Sequence, residues 1–191
     1  MKAHKSLAEK KEECLALLRS TNRNNIEKII THIEKMGYFE APGSESHHRF
    51  EGGLVSHSLE TCHKALVLRE NKISNGTNPD KLPIESVIIA SLLHDVCKAD
   101  KLRFNKETRK VYAIKKTNGH SQRSVRQIGY SGFVLSPEEK DAILWHMGGK
   151  HFNEDRHRHF AQHPLSEIIF YADKKSIHEA SLRHHPSKKS K

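Results

Sequence analysis

Apolar residues recur along most of the chain with the spacing of amphipathic helices. Residues 24–36 are the clearest case, because their isoleucines keep the i, i+3, i+4, i+7 spacing and a glycine follows as a stop. Similar patterns predict helices over residues 5–19, 53–71, 84–101 and 136–147, and from Gly119 and Pro164 onward. Ser136 and Glu139 have the spacing of a capping box. Residues 38–50 and 150–163 are expected to be loops, so the sequence predicts an all-α bundle.

The stretch 84–101 differs from the other predicted helices because it is apolar on nearly every side, which is typical of a buried helix. His94 and Asp95 lie in this stretch. Burying an imidazole and a carboxylate without partners costs on the order of several kcal/mol, so such groups are normally paired or bound to a metal. Lys98 follows one turn after His94 and suggests an anionic ligand. The alternatives are a buried hydrogen-bonded pair for His94 and Asp95, and a helix-end contact for Lys98.

Five predicted helices carry a histidine or an aspartate at an inward position or at a helix end. These residues are His57, His94 with Asp95, His120, His146 and Asp173. The separations after the central pair are 25, 26 and 27 residues, about one helix and a loop each, so successive helices can point one ligand at a shared centre. Six ligands exceed what one four-coordinate zinc requires, and a two-metal site with a bridging carboxylate accounts for all of them. The alternative places His120 and His146 in contact with the ligands or substrate of a single metal.

A basic segment follows the central pair. Residues 101–126 contain nine Lys or Arg and one Glu, a local balance of +8 within a net charge of +10. This segment favours phosphate-rich ligands or nucleic acid as partners, and a solvated surface is the alternative. Within it, residues 102–115 are rich in β-branched and aromatic side chains around a polar centre, which allows a short β-ribbon. Residues 181–191 add +4 and are expected to form a disordered tail.

The length and composition favour one helical domain. We expect residues 1–50 to form helices that pack on a metal-binding helical domain over residues 51–180. Three separated cysteines without a CxxC motif exclude a disulfide framework, and no apolar run is long enough for a membrane span, so we expect a soluble cytoplasmic protein without a membrane partner. The remaining histidines outside apolar patterns are expected at the surface or in the tail: His4, His32, His63, His157, His159, His163, His178, His184 and His185.

The order His57, His94-Asp95, Asp173 resembles the H…HD…D signature of the HD superfamily of metal-dependent phosphohydrolases, which have an all-helical fold. The additional His120 and His146 make it similar to the dinuclear branch, H…HD…H…H…D. Further likenesses are the HDxxK form of residues 94–98 and the GGLxxH form of residues 52–57. The chain looks most like the HD domain of bacterial 3′-to-5′ exoribonucleases over residues 48–173. In those enzymes an OB-fold precedes the domain, whereas the first 50 residues here are predicted to be helical and are too few for one, which argues against exoribonuclease activity on long RNA.

The resemblance implies two divalent transition-metal ions whose ligand sets share Asp95: His57, His94, Asp95 and Asp173 for one ion, and Asp95, His120 and His146 for the other. Such ions deprotonate a bridging water, which then attacks a phosphoryl group held by both metals. The mixed nitrogen and oxygen ligands favour iron, manganese, cobalt, nickel or zinc over magnesium alone.

The resemblance also implies that Lys98 binds a phosphate oxygen and offsets its charge in the transition state, so Asp95 and Lys98 are the expected catalytic residues. Further candidates for phosphate contact are His47, His48, Arg123, Lys150 and His151, although the sequence favours an ordinary surface position for each.

The expected function is hydrolysis of a phosphomonoester or phosphodiester in a nucleotide or short oligonucleotide, with a metal-bridging hydroxide as the nucleophile. One alternative is a mixed-valent di-iron oxygenase of the same fold. The other is a nucleic-acid-binding or regulatory module whose metal site is structural or sensory. The basic segment favours phosphorylated substrates, because small polyols or phosphonates need only a few cations.

Overall fold

A computed structural model describes residues 5–115, 119–149 and 155–184 of the chain. These residues form eight α-helices, two short 3-10 helices and one two-stranded sheet, so the fold is mostly helical, as predicted from the spacing of apolar residues. None of the helices in these three ranges combines the length and the apolar character that crossing a membrane requires.

The α-helices are α1 Leu7–Ser20, α2 Ile26–Lys35, α3 Gly53–Ser74, α4 Ile84–Leu93, α5 His120–Tyr130, α6 Pro137–Trp145, α7 Arg156–Gln162 and α8 Pro164–His184. The 3-10 helices are Pro79–Lys81 and Val96–Asp100, and the strands are β1 Leu102–Asn105 and β2 Lys110–Ala113. The strands pair antiparallel, with Leu102 opposite Ala113 and Asn105 opposite Lys110, which is the β-ribbon that the sequence allowed.

Helix α4 lies in the middle of the bundle and packs against α1, α3, α6 and α8. Its residues Val87, Ile89 and Leu92 are fully buried, which explains why this stretch has almost no polar face. Helices α1 and α2 add Leu18 and Ile29 to the same core. The helices that carry the predicted ligands are therefore held by one continuous hydrophobic core.

Helix α4 ends at Leu93, whereas the apolar run predicted a helix that continues to residue 101. Asp95 leaves the helical conformation with φ −112° and ψ 16°, and the Lys98 amide donates to the Asp95 carbonyl at 2.9 Å as the next 3-10 helix begins. The apolar pattern could not show this bend because Val96 and Cys97 beyond it are also buried. As a result, Lys98 lies beside Asp95 instead of one regular turn after His94.

Two differences from the sequence prediction occur near the C-terminal end. The predicted loop over residues 150–163 contains helix α7, which begins after Asp155, whose side chain accepts from the His157 amide at 2.8 Å. Residues 150–154 lie outside the described residues. Helix α8 continues to His184, past residue 181, where the basic tail was expected to begin. Residues 185–191 also lie outside the described part of the chain.

The segment between α2 and α3 is held against the end of α4. Tyr38 is fully buried, and its hydroxyl donates to the carbonyl of Leu92 at 2.7 Å. Leu92 is in the last turn of α4, two residues before His94. The loop that follows α2 therefore fixes the end of the helix that leads into the His94-Asp95 pair.

Candidate metal centre

Four parts of the bundle bring five of the six predicted ligands to one buried point. His57 belongs to α3, His94 and Asp95 follow α4, His146 follows α6, and Asp173 belongs to α8. All five residues are buried, with Asp95 the most exposed at 4%. Their ligand atoms form two groups, each within 4.8 Å: His57 with His94 and Asp173, and His94 with Asp95 and His146. The two groups share His94.

The distances at the centre place Asp95 between its histidines. His57 Nε2 lies 3.1 Å from Asp173 Oδ1 and 3.2 Å from His94 Nε2. Asp95 Oδ2 lies 3.4 Å from His94 Nε2 and 3.6 Å from His57 Nε2, whereas Asp95 Oδ1 lies 3.6 Å from His146 Nε2. The two carboxylate oxygens therefore face different histidines, as they would in a carboxylate that bridges two cations.

Hydrogen bonds outside the centre orient the imidazole rings. His94 Nδ1 lies 2.7 Å from the Ser91 carbonyl, and His146 Nδ1 lies 2.7 Å from the Ile143 carbonyl. Because a carbonyl only accepts, each Nδ1 carries the proton, and Nε2 of the neutral ring presents its lone pair to the centre. His57 Nδ1 is 3.2 Å from the hydroxyl of Ser176, on the side away from the centre. Metal-binding histidines typically show this arrangement.

Two buried polar atoms of the centre lack a hydrogen bond among the described residues, His146 Nε2 and Asp173 Oδ2. The closest cation to Asp173 Oδ2 in an ion pair is Lys174 Nζ, 3.6 Å away. A buried polar atom without a partner costs about 1–3 kcal/mol. A metal ion would satisfy both atoms, so these buried histidines and aspartates fit a metal-binding site.

The charged groups of the centre hold each other in their ionised forms. Burial would raise the pKa of Asp95, but Lys98 and the neighbouring imidazoles outweigh burial and hold that pKa well below its usual range. Burial would likewise lower the pKa of Lys98, but the Asp95 carboxylate raises it. The Lys98 ammonium lies 2.6 Å from Asp95 Oδ2. An anion that enters the centre therefore meets a cation that stays charged.

The histidines at the centre differ in their affinity for protons. Burial lowers the pKa of His146 to about 4, so its ring is neutral and available as a ligand near neutral pH. Burial also acts on His57, but hydrogen bonds to Asp173 and Asp95 outweigh it and raise the pKa of His57. A histidine binds a metal ion through a deprotonated nitrogen, so this raised pKa means that acid would weaken metal binding at His57.

The sixth predicted ligand, His120, does not join either group of ligand atoms among the described residues. It begins helix α5, and its carbonyl accepts from the Cys97 thiol at 3.3 Å. Burial lowers the pKa of the His120 imidazole, and its Nδ1 has no hydrogen-bond partner in the described part of the chain. Its role as a ligand stays a prediction.

His47 and His48 are also at the centre, where the sequence favoured a surface position for both. Their exposed fractions are 6% and 2%, and their ligand atoms form a third group with those of His57. The two Nδ1 atoms are 3.1 Å apart, and each ring lies 5.2 Å from the ring of His57. His48 Nε2 lies 3.3 Å from Glu60 Oε2, but without hydrogen-bond geometry.

Gly53 explains how this pair of histidines reaches the centre. A Cβ atom on Gly53 would lie 1.9 Å from the His48 carbonyl oxygen, so only glycine lets the loop approach the start of α3. The same carbonyl accepts from the Gly43 amide at 3.0 Å, which closes the loop. His57 follows one turn after Gly53. The adjacent glycines 52 and 53 were the sequence signal that could have placed His47 and His48 inside.

The other predicted phosphate contacts are placed less favourably. Arg123 Nη2 donates to both carboxylate oxygens of Asp100, at 3.0 and 3.1 Å, so its guanidinium is paired with a residue outside the ligand groups of the centre. Lys150 and His151 lie outside the described residues. Among the candidates that the structure describes, Lys98 is the cation placed directly at the centre.

Comparisons of the chain with protein-family models, with curated proteins and with solved structures found no match. Any functional conclusion therefore depends on the chemistry of the centre and on the order of its residues in the sequence.

Proposed function

We propose that the protein is a metal-dependent phosphohydrolase of the HD type that cleaves a phosphomonoester or phosphodiester bond in a nucleotide or short oligonucleotide. The observation that carries this proposal is the convergence of three imidazole Nε2 atoms and two carboxylates on one buried point beside a lysine ammonium. The order of these residues in the sequence supports it, because it resembles the HD superfamily.

The residues that would hold the metal ions are His57, His94, Asp95, His146 and Asp173, with His120 as a further candidate. Their mixture of nitrogen and oxygen ligands suits iron, manganese, cobalt, nickel or zinc. When bound, two such ions supply Lewis acidity and lower the pKa of a bound water into the neutral range.

The protein's own groups prepare this site for a phosphate. Asp95 Oδ2 faces His57 and Asp95 Oδ1 faces His146, so this one carboxylate lies next to a histidine of each ligand group. Lys98 keeps its charge while its side chain is only 12% exposed, and this ammonium would neutralise charge that develops on the phosphoryl oxygens. Because the surrounding residues exclude most water, these charges act at a lower effective dielectric than at the surface.

The test combines metal analysis with a hydrolysis assay. Purified protein is loaded with Mn²⁺ or Fe²⁺ and assayed with bis(p-nitrophenyl) phosphate and a panel of nucleotides. Asp95→Asn is expected to lose both bound metal and hydrolysis, because it removes a charged ligand. Lys98→Met is expected to retain metal and to lower kcat by about 100-fold, since it removes one group that stabilises transition-state charge.

Asp80→Asn is the matched control, because Asp80 is an exposed carboxylate outside the centre, and both readouts should stay at wild-type values. A fully metallated wild-type protein that hydrolyses none of the phosphoesters would contradict the proposal. Oxygen consumption by the iron-loaded protein in place of hydrolysis would favour the di-iron oxygenase. Unchanged hydrolysis in Asp95→Asn would rule out the centre as the active site.

A further inference from the structure

A second group of metal-type side chains lies where α6, α7 and α8 meet. Asp141 belongs to α6, His159 belongs to α7, and His163 lies directly before α8. Their ligand atoms are all within 4.8 Å of one another, and none of these residues takes part in the groups of the centre. The sequence placed both histidines at the surface, but His159 is only 7% exposed.

The distances in this group match those of a metal site. His159 Nε2 lies 2.8 Å from Asp141 Oδ2, and His163 Nδ1 lies 3.7 Å from the same oxygen. Ligand atoms about 2.1 Å from a tetrahedral zinc ion are about 3.4 Å apart, so the two distances lie on either side of the required value. The His159 and His163 rings are stacked, with centroids 4.2 Å apart and planes inclined by 18°, so the His163 ring must rotate out of this stack for both nitrogens to face one ion.

Two neighbouring side chains hold the group in place. The Ser166 hydroxyl donates to Asp141 Oδ2 at 2.5 Å and is itself almost fully buried. The indole of Trp145 stacks on the His159 ring, with centroids 3.8 Å apart and planes inclined by 12°. Partners of this kind orient metal ligands, and their removal weakens metal binding.

We propose that Asp141, His159 and His163 bind one divalent transition-metal ion of the Zn²⁺ type, separate from the metals of the centre. The side chains of Asp141 and His163 are 24% and 42% exposed, so the ion can enter from solvent and complete its coordination with water. The site ties the seven-residue helix α7 to α6 and to the start of α8. It does not depend on the proposed function.

The competing explanation is an Asp141–His159 hydrogen bond that needs no ion. Trp145 distinguishes the two because it is the single tryptophan of the chain and stacks directly on one proposed ligand. Chelator-treated full-length protein is titrated with Ni²⁺, which quenches indole emission when it binds nearby. We expect a saturable quenching phase that corresponds to one Ni²⁺ per chain, in addition to any Ni²⁺ bound at the centre, and prior addition of Zn²⁺ should prevent this phase.

Variants assign the signal to this site. His163→Gln and Asp141→Asn should abolish the saturable quenching, and Ser166→Ala should weaken Ni²⁺ binding by about 10–100-fold. Asp95→Asn, which removes a ligand of the centre, should retain this quenching phase. Because His163 is partly exposed, His163→Gln is expected to fold, and circular dichroism checks this.

The results of these titrations distinguish the proposed site from the alternatives. Equal titrations of the wild type and His163→Gln would overturn the proposal, as would a wild type that shows no quenching. Quenching lost in Asp95→Asn but retained in His163→Gln would assign the signal to the centre and also overturn it. None of these results depends on whether the protein hydrolyses phosphoesters.

Discussion

The buried histidines of this protein differ in pKa. Burial, together with the nearby Lys98 and His57, lowers the pKa of His47 from 6.5 to about 3. Hydrogen bonds to carboxylates have the opposite effect on His57 and raise its pKa above that of an ordinary histidine. Neighbouring buried imidazoles therefore have pKa values shifted in opposite directions. Acid must therefore act differently on the two.

His47 should make the folded state sensitive to mild acid. Below pH 6.5 the unfolded chain binds a proton at His47, whereas the folded chain does so only near pH 3, so stability falls as pH falls through this range. His47→Gln removes that proton uptake and should flatten the fall. Urea unfolding of chelator-treated protein at a series of pH values measures the difference.

His178→Gln serves as the comparison, because His178 is an exposed histidine on α8. It should leave the dependence of the unfolding free energy on pH unchanged. If His47→Gln and the wild type lose stability with the same slope between pH 6 and pH 4, then the neutral burial of His47 is not what makes the fold acid-sensitive.

The sequence predicted well those helices and strands that a local pattern, such as a capping box, marks. The Ser136 hydroxyl accepts from the Glu139 amide at 3.1 Å and the Glu139 carboxylate accepts from the Ser136 amide at 2.9 Å, which confirms the capping box at the start of α6. Helix α7 was missed because little beyond its cap, Asp155, marks it in the sequence. The end of α4 was missed because buried residues continue past the bend.

The candidate site shows the same division. His57, His94, Asp95 and Asp173 could be selected from the sequence because each is a polar residue on an apolar helix or at its end. His47 lacks such a pattern, because its position depends on a backbone contact between a loop and a helix start, and the adjacent glycines 52 and 53 indicate that contact only indirectly. Tertiary contacts of this kind appear only when the chain is folded.

The junction between this loop and α3 should not tolerate a methyl group. In Gly53→Ala the new Cβ atom would lie 1.9 Å from the His48 carbonyl, so the loop or the helix must shift. We expect a loss of about 1–3 kcal/mol in the free energy of unfolding, as is typical of overpacking. Urea unfolding of both proteins measures this loss.

Gly129→Ala is a matched control in the same measurement. Gly129 lies within α5, and a Cβ atom there would meet nothing within 4 Å. Alanine should therefore stabilise the protein by about 0.5–1 kcal/mol, because glycine loses more backbone freedom on folding. Equal effects of the two substitutions would mean that the close approach at Gly53 is not required.

Over the whole molecule, positive charge is concentrated in the segment that follows the His94-Asp95 pair in the sequence. The net charge is +10, and the ribbon that follows Lys98 and its 3-10 helix exposes Arg103, Lys106, Arg109 and Lys110. Lys106 pairs with Glu51, near the start of α3, at 2.9 Å. A surface of this sign attracts phosphate groups.

If the substrate is a short oligonucleotide, its binding should depend strongly on salt. Each phosphate contact contributes about −0.7 to the slope of log affinity against log salt for a single strand. We expect KM for an oligonucleotide to rise steeply with NaCl, and KM for bis(p-nitrophenyl) phosphate to change little. Steady-state kinetics at several salt concentrations measure both.

The double variant Arg109→Gln, Lys110→Gln should reduce the salt slope for the oligonucleotide and leave the small substrate unaffected. Both residues are exposed on the ribbon, so their replacement should not disturb the core. A salt dependence that is the same for both substrates would argue against the ribbon as a path for the phosphate chain.

The hydroxyl of Tyr38, bonded to the Leu92 carbonyl, has a consequence for how the chain can be divided. A fragment that starts at Gly53 would carry every predicted metal ligand in its original order. It would lack the Tyr38 phenol, which bonds the last turn of α4 before His94. It would also lack α1 and α2, which pack on the same core. The fragment would therefore contain the ligands but not the contacts that align them. We expect that it would not form the centre by itself.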